Sequence, residues 1–120
     1  MSVPAGAVLV TGASTGIGLA VTQRLAARGT PVLAGVRNDV DAAKLDAIAN
    51  VEAIVLDVAN AEHVAQLRER LAGARLSGLV NNAGIAVAGP LEELDLSEWR
   101  QQFDVNFFGA VAVTQASLHH

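Results

Sequence analysis

Length, composition and charge limit what this chain can be. Its 120 residues suffice for one domain spanning 1–120, and with 52% hydrophobic and only 17% charged residues it is not a disordered chain. A net charge of −4 without a basic run argues against a nucleic-acid partner, and the absence of cysteine excludes disulfides and thiolate metal sites, so no metal is predicted.

The apolar runs and the N-terminal residues indicate where in the cell the protein is expected. No apolar run reaches the roughly eighteen residues of a membrane span, and no basic segment followed by an apolar one suggests a signal peptide. We therefore expect a cytoplasmic protein without a membrane partner. His119 and His120 are interpreted as the remnant of a purification tag and are left out of the fold prediction.

Four apolar runs alternate with four helical patterns along the chain. None of the runs alternates polar with apolar residues, which is typical of parallel strands buried on both faces. The predicted strands are Ala7–Thr11, Pro31–Val36, Ala53–Val58 and Gly78–Asn81. The predicted helices are Gly16–Arg28, Asp41–Ala49, Asn60–Leu71 and Ser97 to about Leu118.

This alternation of strands and helices predicts a doubly wound α/β unit. Parallel strands need crossover connections, and such crossovers are right-handed. In the first helix the apolar positions Ile17, Val21 and Leu25 recur every four residues. Each apolar run taken alone is also compatible with a buried helical segment, but the regular order favours strands.

The first predicted strand runs directly into a glycine-rich turn. In residues 10–18, Val-Thr-Gly-Ala-Ser-Thr-Gly-Ile-Gly, the first glycine permits a tight turn, the second lets the backbone approach a pyrophosphate, and the third lets the helix pack close to the strand. The helix start would present N–H groups and a positive dipole end to that anion. An ordinary glycine-rich turn is the alternative. The predicted cofactor-binding residues here are Gly12, Ser14, Thr15, Gly16, Ile17 and Gly18.

Three further motifs follow later elements. Asp57–Val58 ends the third predicted strand, Asn81–Gly84 (Asn-Asn-Ala-Gly) ends the fourth, and Asp104–Asn106 lies on the last helix. With the TGxxxGxG spacing of the turn, these motifs make the chain resemble the short-chain dehydrogenase/reductase family over nearly its whole length. Thr15 stands where the extended branch of that family has a middle glycine, which argues against that branch.

The resemblance implies a fold and a set of functional residues. The fold is a Rossmann-like α/β structure: a doubly wound parallel sheet of four βα units, strand order 3-2-1-4, truncated relative to the family. A nicotinamide dinucleotide would lie across the carboxyl ends of the strands. Asn106 matches the catalytic asparagine of the family. The implied cofactor contacts of the later motifs are Asp57, Val58, Asn82, Ala83 and Gly84.

Each of these polar residues also has a structural interpretation that the sequence leaves open. Asp57 can cap the following helix, and Asn81 and Asn82 can satisfy backbone groups at a strand end. Asn106 has apolar neighbours and can be a buried asparagine whose hydrogen bonds are only structural.

The residues that end the second strand bear on the choice of cofactor. An acidic residue there would bind the adenine ribose hydroxyls and repel a 2′-phosphate, but the position is Val36 and Arg37 follows it. Because a guanidinium suits a phosphate, we predict NADP, with NAD less favoured. A solvated loop arginine is the alternative. The basic residue that the family often adds within the glycine turn is absent, since Ser14 and Thr15 hold those positions.

The resemblance also implies chemistry that this chain lacks. In the family a hydride moves between the nicotinamide and a carbonyl or alcohol carbon, assisted by a tyrosine, a lysine four residues later and a serine. This chain has no tyrosine, and its only lysine is Lys44 on the second helix. We therefore expect the nucleotide-binding half of an NADP-dependent oxidoreductase acting on a small-molecule carbonyl or alcohol, inactive alone. A stand-alone nucleotide-binding module and an inactive half-fold are the alternatives.

The last helix and the fourth strand predict a homo-oligomer. From Phe103 onward, apolar residues point around nearly the whole circumference of the helix, which is typical of burial on more than one side. The fourth strand would also leave an unpaired sheet edge, where another chain can add a strand.

Overall fold

The structure, a computed structural model, describes residues 3–118, so the terminal pair His119 and His120 lies outside the described residues. At its centre is a sheet of four parallel strands in the order 3-2-1-4, which confirms the predicted topology. The strands are β1 (Val8–Val10), β2 (Val32–Val36), β3 (Val51–Val55) and β4 (Gly78–Val80). In the register of the sheet, Val10 lies between Ala34 and Val80.

Within residues 3–118, five α-helices accompany the strands. They are α1 (Gly16–Ala27), α2 (Asp39–Asp46), α3 (Ala61–Arg70), α4 (Leu96–Phe103) and α5 (Ala110–Ser117). Asn38 and Asn60 start α2 and α3, since their Oδ1 atoms accept hydrogen bonds from first-turn N–H groups. Because Asn38 is the cap, α2 begins at Asp39, two residues before the predicted start. None of the helices within residues 3–118 combines the length and apolarity needed to span a bilayer.

The last predicted helix is not one continuous α-helix. It begins at Leu96, and its two α-helical parts, α4 and α5, are joined by a π-helical stretch at Asp104–Gly109, here called the π turn. Apolar spacing does not reveal a π turn, because one widened turn leaves the composition of the helix unchanged. Such turns are rare in proteins and frequently occur at functional sites.

Apolar side chains pack against both faces of the sheet. Neighbouring residues of one strand point to opposite faces, and all five residues of β2 are buried, as expected for a strand covered on both sides. One side of the sheet packs against α3 and α5 through Leu9, Leu33, Leu56, Leu67, Leu71 and Val113. The other packs against α1 and α2 through Val10, Ala34, Val36, Ala26 and Leu45.

The buried face of α1 is shifted by one residue from the spacing in the sequence. The residues fully buried there are Gly18, Thr22 and Ala26, while Ile17 is 76% exposed. Small side chains let the helix lie close to the sheet, and the larger Val21 and Leu25 pack at the margin of that contact.

The third strand also differs from its prediction. β3 covers Val51–Val55 rather than 53–58, because Val51 pairs with Val32 and β2 offers its last partner at Val36. After Leu56 the backbone leaves the sheet, so Asp57 and Val58 follow the strand instead of ending it. The other strand ends lie within one residue of their predicted positions.

Candidate functional site

Glycines shape the turn between β1 and α1, because two of the positions have no room for a side chain and two have a positive φ. Gly12 has a φ of 62°, and a β-carbon on it would lie 2.9 Å from the Cα of Ala83. A β-carbon on Gly18 would overlap the carbonyl oxygen of Gly12 and the Nδ2 of Asn82. Gly18 therefore lets α1 pack against the turn and against Asn82, not simply against the strand. Gly16 has open space around it but a φ of 58°, which favours glycine.

The amino-terminal end of α1 lacks an internal partner for its N–H groups. Its N-cap, Thr15, makes no side-chain hydrogen bond, and no acidic residue occurs in the first turn. By contrast, α2 and α3 have asparagine caps and acidic residues in their first turns. The N–H groups and the positive dipole end of α1 are thus available to an anion from outside the helix.

A cleft of about 180 Å³ lies beside this helix end, at the carboxyl ends of the strands. It contains every predicted cofactor-binding residue except Gly16, Ile17 and Gly18, which lie at the start of α1. The lining consists of Gly12, Ser14, Thr15, Val36, Arg37, Leu56, Asp57, Val58, Asn82, Ala83, Gly84, Ile85 and Val105. The sequence motifs, far apart along the chain, are thus brought to one place.

Four of the lining residues are missing from the predicted set. They are Val36, Leu56, Ile85 and Val105. Each is next in sequence to a predicted residue, so including the residues that flank the motifs would have found all four. Their apolar side chains suit the flat faces of a ligand ring, whereas the predicted polar residues suit its edges.

Thr11 joins β1 to β4 at the edge of the cleft, a role that the sequence did not suggest. Its buried Oγ1 accepts hydrogen bonds from the backbone N–H groups of Asn82, at 3.0 Å, and Ala83, at 2.9 Å. In return, the Nδ2 of Asn82 donates to the carbonyl oxygens of Thr11 and Gly12. The side-chain Nδ2 of Asn81 donates to Thr114 on α5. Both asparagines therefore have structural partners, and Asn82 also lines the cleft.

The segment after β3 is held by local hydrogen bonds. Asp57 Oδ1 accepts from the N–H of Ala59 at 3.0 Å, and the carbonyl oxygen of Asp57 accepts from Asn60 N–H at 2.9 Å. The cap of α3 is Asn60, whose Oδ1 accepts from Glu62 and His63. Asp57 therefore does not cap α3 but lies in the wall of the cleft.

Asn106 lies in the π turn and binds the backbone of the chain after β4. Its Oδ1 accepts from the N–H of Ile85 at 2.8 Å, and its Nδ2 donates to the carbonyl oxygen of the same residue at 2.7 Å. The residue is exposed, not buried as the structural interpretation supposed. This double hydrogen bond fixes the start of the 85–96 segment against the π turn.

Arg37 is exposed at the mouth of the cleft, near Ser14 and Thr15 of the glycine turn. Among residues 3–118 the one ion pair joins Arg70 to Glu52, so the guanidinium of Arg37 is not engaged by a carboxylate of the described chain. In the same part of the chain, no group of three or more potential metal ligands occurs.

Comparisons with known proteins all point in one direction. The sequence profile of the short chain dehydrogenase family matches residues 6–120. The chain is 42% identical over 115 residues to 3-amino-tetrahydro-pyrrolizinone reductase of Xenorhabdus hominickii, covering 92% of this chain and 40% of that protein. It is 36% identical over 116 residues to NADPH-dependent 3-dehydrocapnine reductase of Ornithobacterium rhinotracheale, covering 92% of this chain and 41% of the relative.

Solved structures agree with the sequence matches. A short-chain dehydrogenase from Streptomyces avermitilis superposes with a TM-score of 0.85 at 33% identity, covering 94% of this chain and 43% of that one. A candidate NAD(P)-dependent gluconate 5-dehydrogenase from Beutenbergia cavernae, solved with NADP at low occupancy, gives 0.85 at 37% identity, covering 97% and 49%. The chain thus spans less than half the length of these relatives.

Proposed function

Since the chain belongs to the short-chain dehydrogenase family, we propose that it binds the adenosine and pyrophosphate parts of NADP for an oxidoreductase acting on a small-molecule carbonyl or alcohol. One observation carries the proposal: the glycine turn, the uncapped end of α1 and Arg37 meet at a single cleft at the carboxyl ends of the strands. Parallel α/β sheets bind ligands at this kind of position, where the strand order reverses beside β1.

The residues of the turn fit a pyrophosphate. At Gly12 and Gly18 the backbone packs too closely against its neighbours to leave room for a β-carbon. This close packing places the start of α1 directly beside the turn. Its N–H groups attract an anion, and the hydroxyls of Ser14 and Thr15 at the cleft wall add donors. A cleft of about 180 Å³ is smaller than the roughly 300–1,000 Å³ of complete ligand sites, which agrees with a role in holding part of the cofactor.

The preference for NADP over NAD rests on the end of β2. Val36 offers no carboxylate to the ribose hydroxyls, and Arg37 offers a guanidinium to a 2′-phosphate. The NADPH dependence of the 3-dehydrocapnine reductase and the NADP bound in the Beutenbergia cavernae protein support the same choice. Asp57 and Val58 would border the adenine, with Leu56 beside them.

In this proposal the cofactor supplies the hydride and the chain supplies binding and orientation. Asn106 is the residue of this chain that matches the catalytic set of the family, and here it positions the Ile85 backbone. Without a tyrosine the chain has no group to match the family's proton donor. We therefore expect cofactor binding without turnover from the 120 residues alone.

A titration of the 120-residue chain with NADPH and NADH, followed by nicotinamide fluorescence, tests this proposal. We expect saturable but weak binding that favours NADPH, and no NADPH oxidation with a panel of ketones above a heat-denatured control. Ser14→Asp should abolish binding, because it adds a negative charge where the phosphates would lie. The matched change Ser97→Asp, in the first turn of α4, adds the same charge outside the lining of the cleft, and this variant should bind normally. Turnover by the chain, or equal binding by the two variants, would contradict the proposal.

A further inference from the structure

A histidine on α3 holds the backbone of the cleft wall after β3. The last hydrogen bond of the strand ladder joins the N–H of Leu56 to the carbonyl oxygen of Val36, at 2.6 Å. Because the N–H groups of successive residues in a strand point to opposite sides, the N–H of Asp57 points away from β2. The sheet of residues 3–118 has no further strand on this outer side of β3, so this N–H has no strand partner. It donates instead to Nδ1 of His63, at 3.0 Å in a partly buried position. A side chain thereby replaces the missing strand at this point.

The imidazole is itself fixed by the same segment. The backbone N–H of His63 donates to Oδ1 of Asn60, at 3.1 Å, and the N–H of Asn60 donates to the carbonyl oxygen of Asp57, at 2.9 Å. Together with the hydrogen bond from Asp57 N–H to the ring, these contacts connect Asp57, Asn60 and His63 in a closed cycle of hydrogen bonds. The cycle therefore fixes the first turn of α3 to the cleft wall.

The wall held in this way has little freedom on its other side. Val58 is buried, and a β-carbon on Gly109 of the π turn would lie 2.6 Å from its Cγ2. Asp57 and Val58 both line the cleft. A shift of the Asp57 backbone would consequently change the part of the cleft wall that Asp57 and Val58 form.

We propose that His63 is a positioning residue: its neutral ring, accepting through Nδ1, holds Asp57 and Val58 in the geometry that receives the adenosine end of the nucleotide. This inference rests on the proposed nucleotide-binding function. The contact requires the neutral ring, because a protonated imidazole donates from both nitrogens and cannot accept from Asp57 N–H.

Several charged residues lie near His63, in the chain or in the groove that contains its ring. Asp57 carries its carboxylate on the held segment, and Glu62 precedes His63 on α3. Arg70 lines the groove that contains the ring and pairs with Glu52 of β3. The comparison of variants must therefore separate the ring from these neighbours.

Three variants make that separation. His63→Leu removes the acceptor, whereas His63→Asn keeps an acceptor, Oδ1, close to the place of Nδ1. Gln66→Leu changes a polar side chain of the same groove and serves as the matched control. Affinity for 2′,5′-ADP would be measured by calorimetry at pH 8. The readout is the ratio between the affinity of each variant and that of the unmutated chain.

At pH 8 we expect His63→Leu to bind about five- to tenfold more weakly, as for one lost backbone hydrogen bond. His63→Asn and Gln66→Leu should stay within about twofold. Equal affinity of His63→Leu and the unmutated chain, or an equal loss in His63→Asn, would overturn the proposal.

A second readout separates this inference from the proposed function. Hydrogen exchange of the Asp57 amide, followed by NMR at one fixed pH without any nucleotide, should accelerate in His63→Leu but not in Gln66→Leu. If the unmutated chain binds no nucleotide, the proposed function fails, yet the exchange rates still decide whether His63 holds Asp57. If nucleotide binds but the Asp57 amide is indifferent to His63, the positioning role fails alone.

Discussion

Arg37 is the single side chain on which the expected cofactor preference depends. It is exposed at the cleft mouth, directly after the last residue of β2. An exposed charge pair contributes about 1 kcal/mol, which is roughly a fivefold change in affinity. The preference for a 2′-phosphate should therefore be real but modest, and it should weaken as salt is added.

Arg37→Ala should remove that preference. In calorimetry, the unmutated chain should bind 2′,5′-ADP several-fold more tightly than 5′-AMP, and the variant should bind both alike. Arg75→Ala removes an exposed arginine outside the cleft and should leave the preference intact. Equal affinities for the two ligands in the unmutated chain would show that Arg37 is a solvated loop residue.

At the scale of single residues, glycines that the backbone requires were easier to predict from the sequence than side chains whose hydrogen-bond partners lie far away in the chain. Gly12 and Gly18 were recognisable because their spacing between a strand and a helix has a known physical reason. Thr11 and His63 were not, because a threonine in a strand and a histidine in a helix are ordinary there. Their roles depend on Asn82 and Asp57, which the fold alone brings within reach.

Among the elements, β1 and β4 are paired in the sheet, and one hydroxyl extends this pairing to the residues that follow β4. Thr11 is 1% exposed, and its Oγ1 accepts two backbone hydrogen bonds from the residues after β4. Thr11→Val keeps the shape but leaves both N–H groups without an acceptor. We expect it to lower the free energy of unfolding by about 2–3 kcal/mol.

Thr11→Ser is the matched control for that change. It keeps the hydroxyl and loses one methyl group, so its effect should be about 1 kcal/mol or less. Urea unfolding followed by circular dichroism measures both variants. If the serine variant is destabilised as much as the valine variant, packing of the methyl group, and not the hydrogen bonds, stabilises this connection.

Element positions were predictable where burial alone decides them. Apolar runs located the four strands, and helix caps located α3. The start of α2 and the bounds of β3 were missed because they depend on the Asn38 cap and on the pairing of Val51 with Val32. The π turn was missed because one widened turn leaves the apolar spacing of the helix unchanged, and its contacts, Asn106 with Ile85 and Gly109 with Val58, are tertiary.

For the whole molecule, an apolar surface on the last helical segment is left uncovered. It consists of Phe103, Phe107, Phe108 and Val111, each between 42% and 59% exposed, which we call the aromatic face. Phe107 and Phe108 contact each other edge to face, with ring centroids 5.1 Å apart. The opposite side of α5 is buried through Val113 and Ala116, so the helix is apolar on two sides, as its composition predicted.

We expect the chain to self-associate, as a dimer with two-fold symmetry or a larger assembly, through the aromatic face. Light scattering over a concentration series should show a mass above that of the monomer. The double change Phe107→Ser and Phe108→Ser should lower it, whereas Val40→Ser, at an exposed apolar position on α2, should not. A dissociation constant of about 1 mM corresponds to about 4 kcal/mol of association free energy. A monomeric mass up to that concentration would rule out the self-association.

The strand order also governs how the chain can fold as it is made. β1 is synthesised first but lies inside the sheet, and its partner Gly78 is about seventy residues beyond Val8. At 5–20 residues per second, a ribosome needs roughly 4–14 s to supply that partner. During this interval β2 and β3 can pair beside β1, whose other edge stays open until Thr11 receives the N–H groups of Asn82 and Ala83. Closure of the sheet on that side is thus the late, long-range step, and such steps make folding slow.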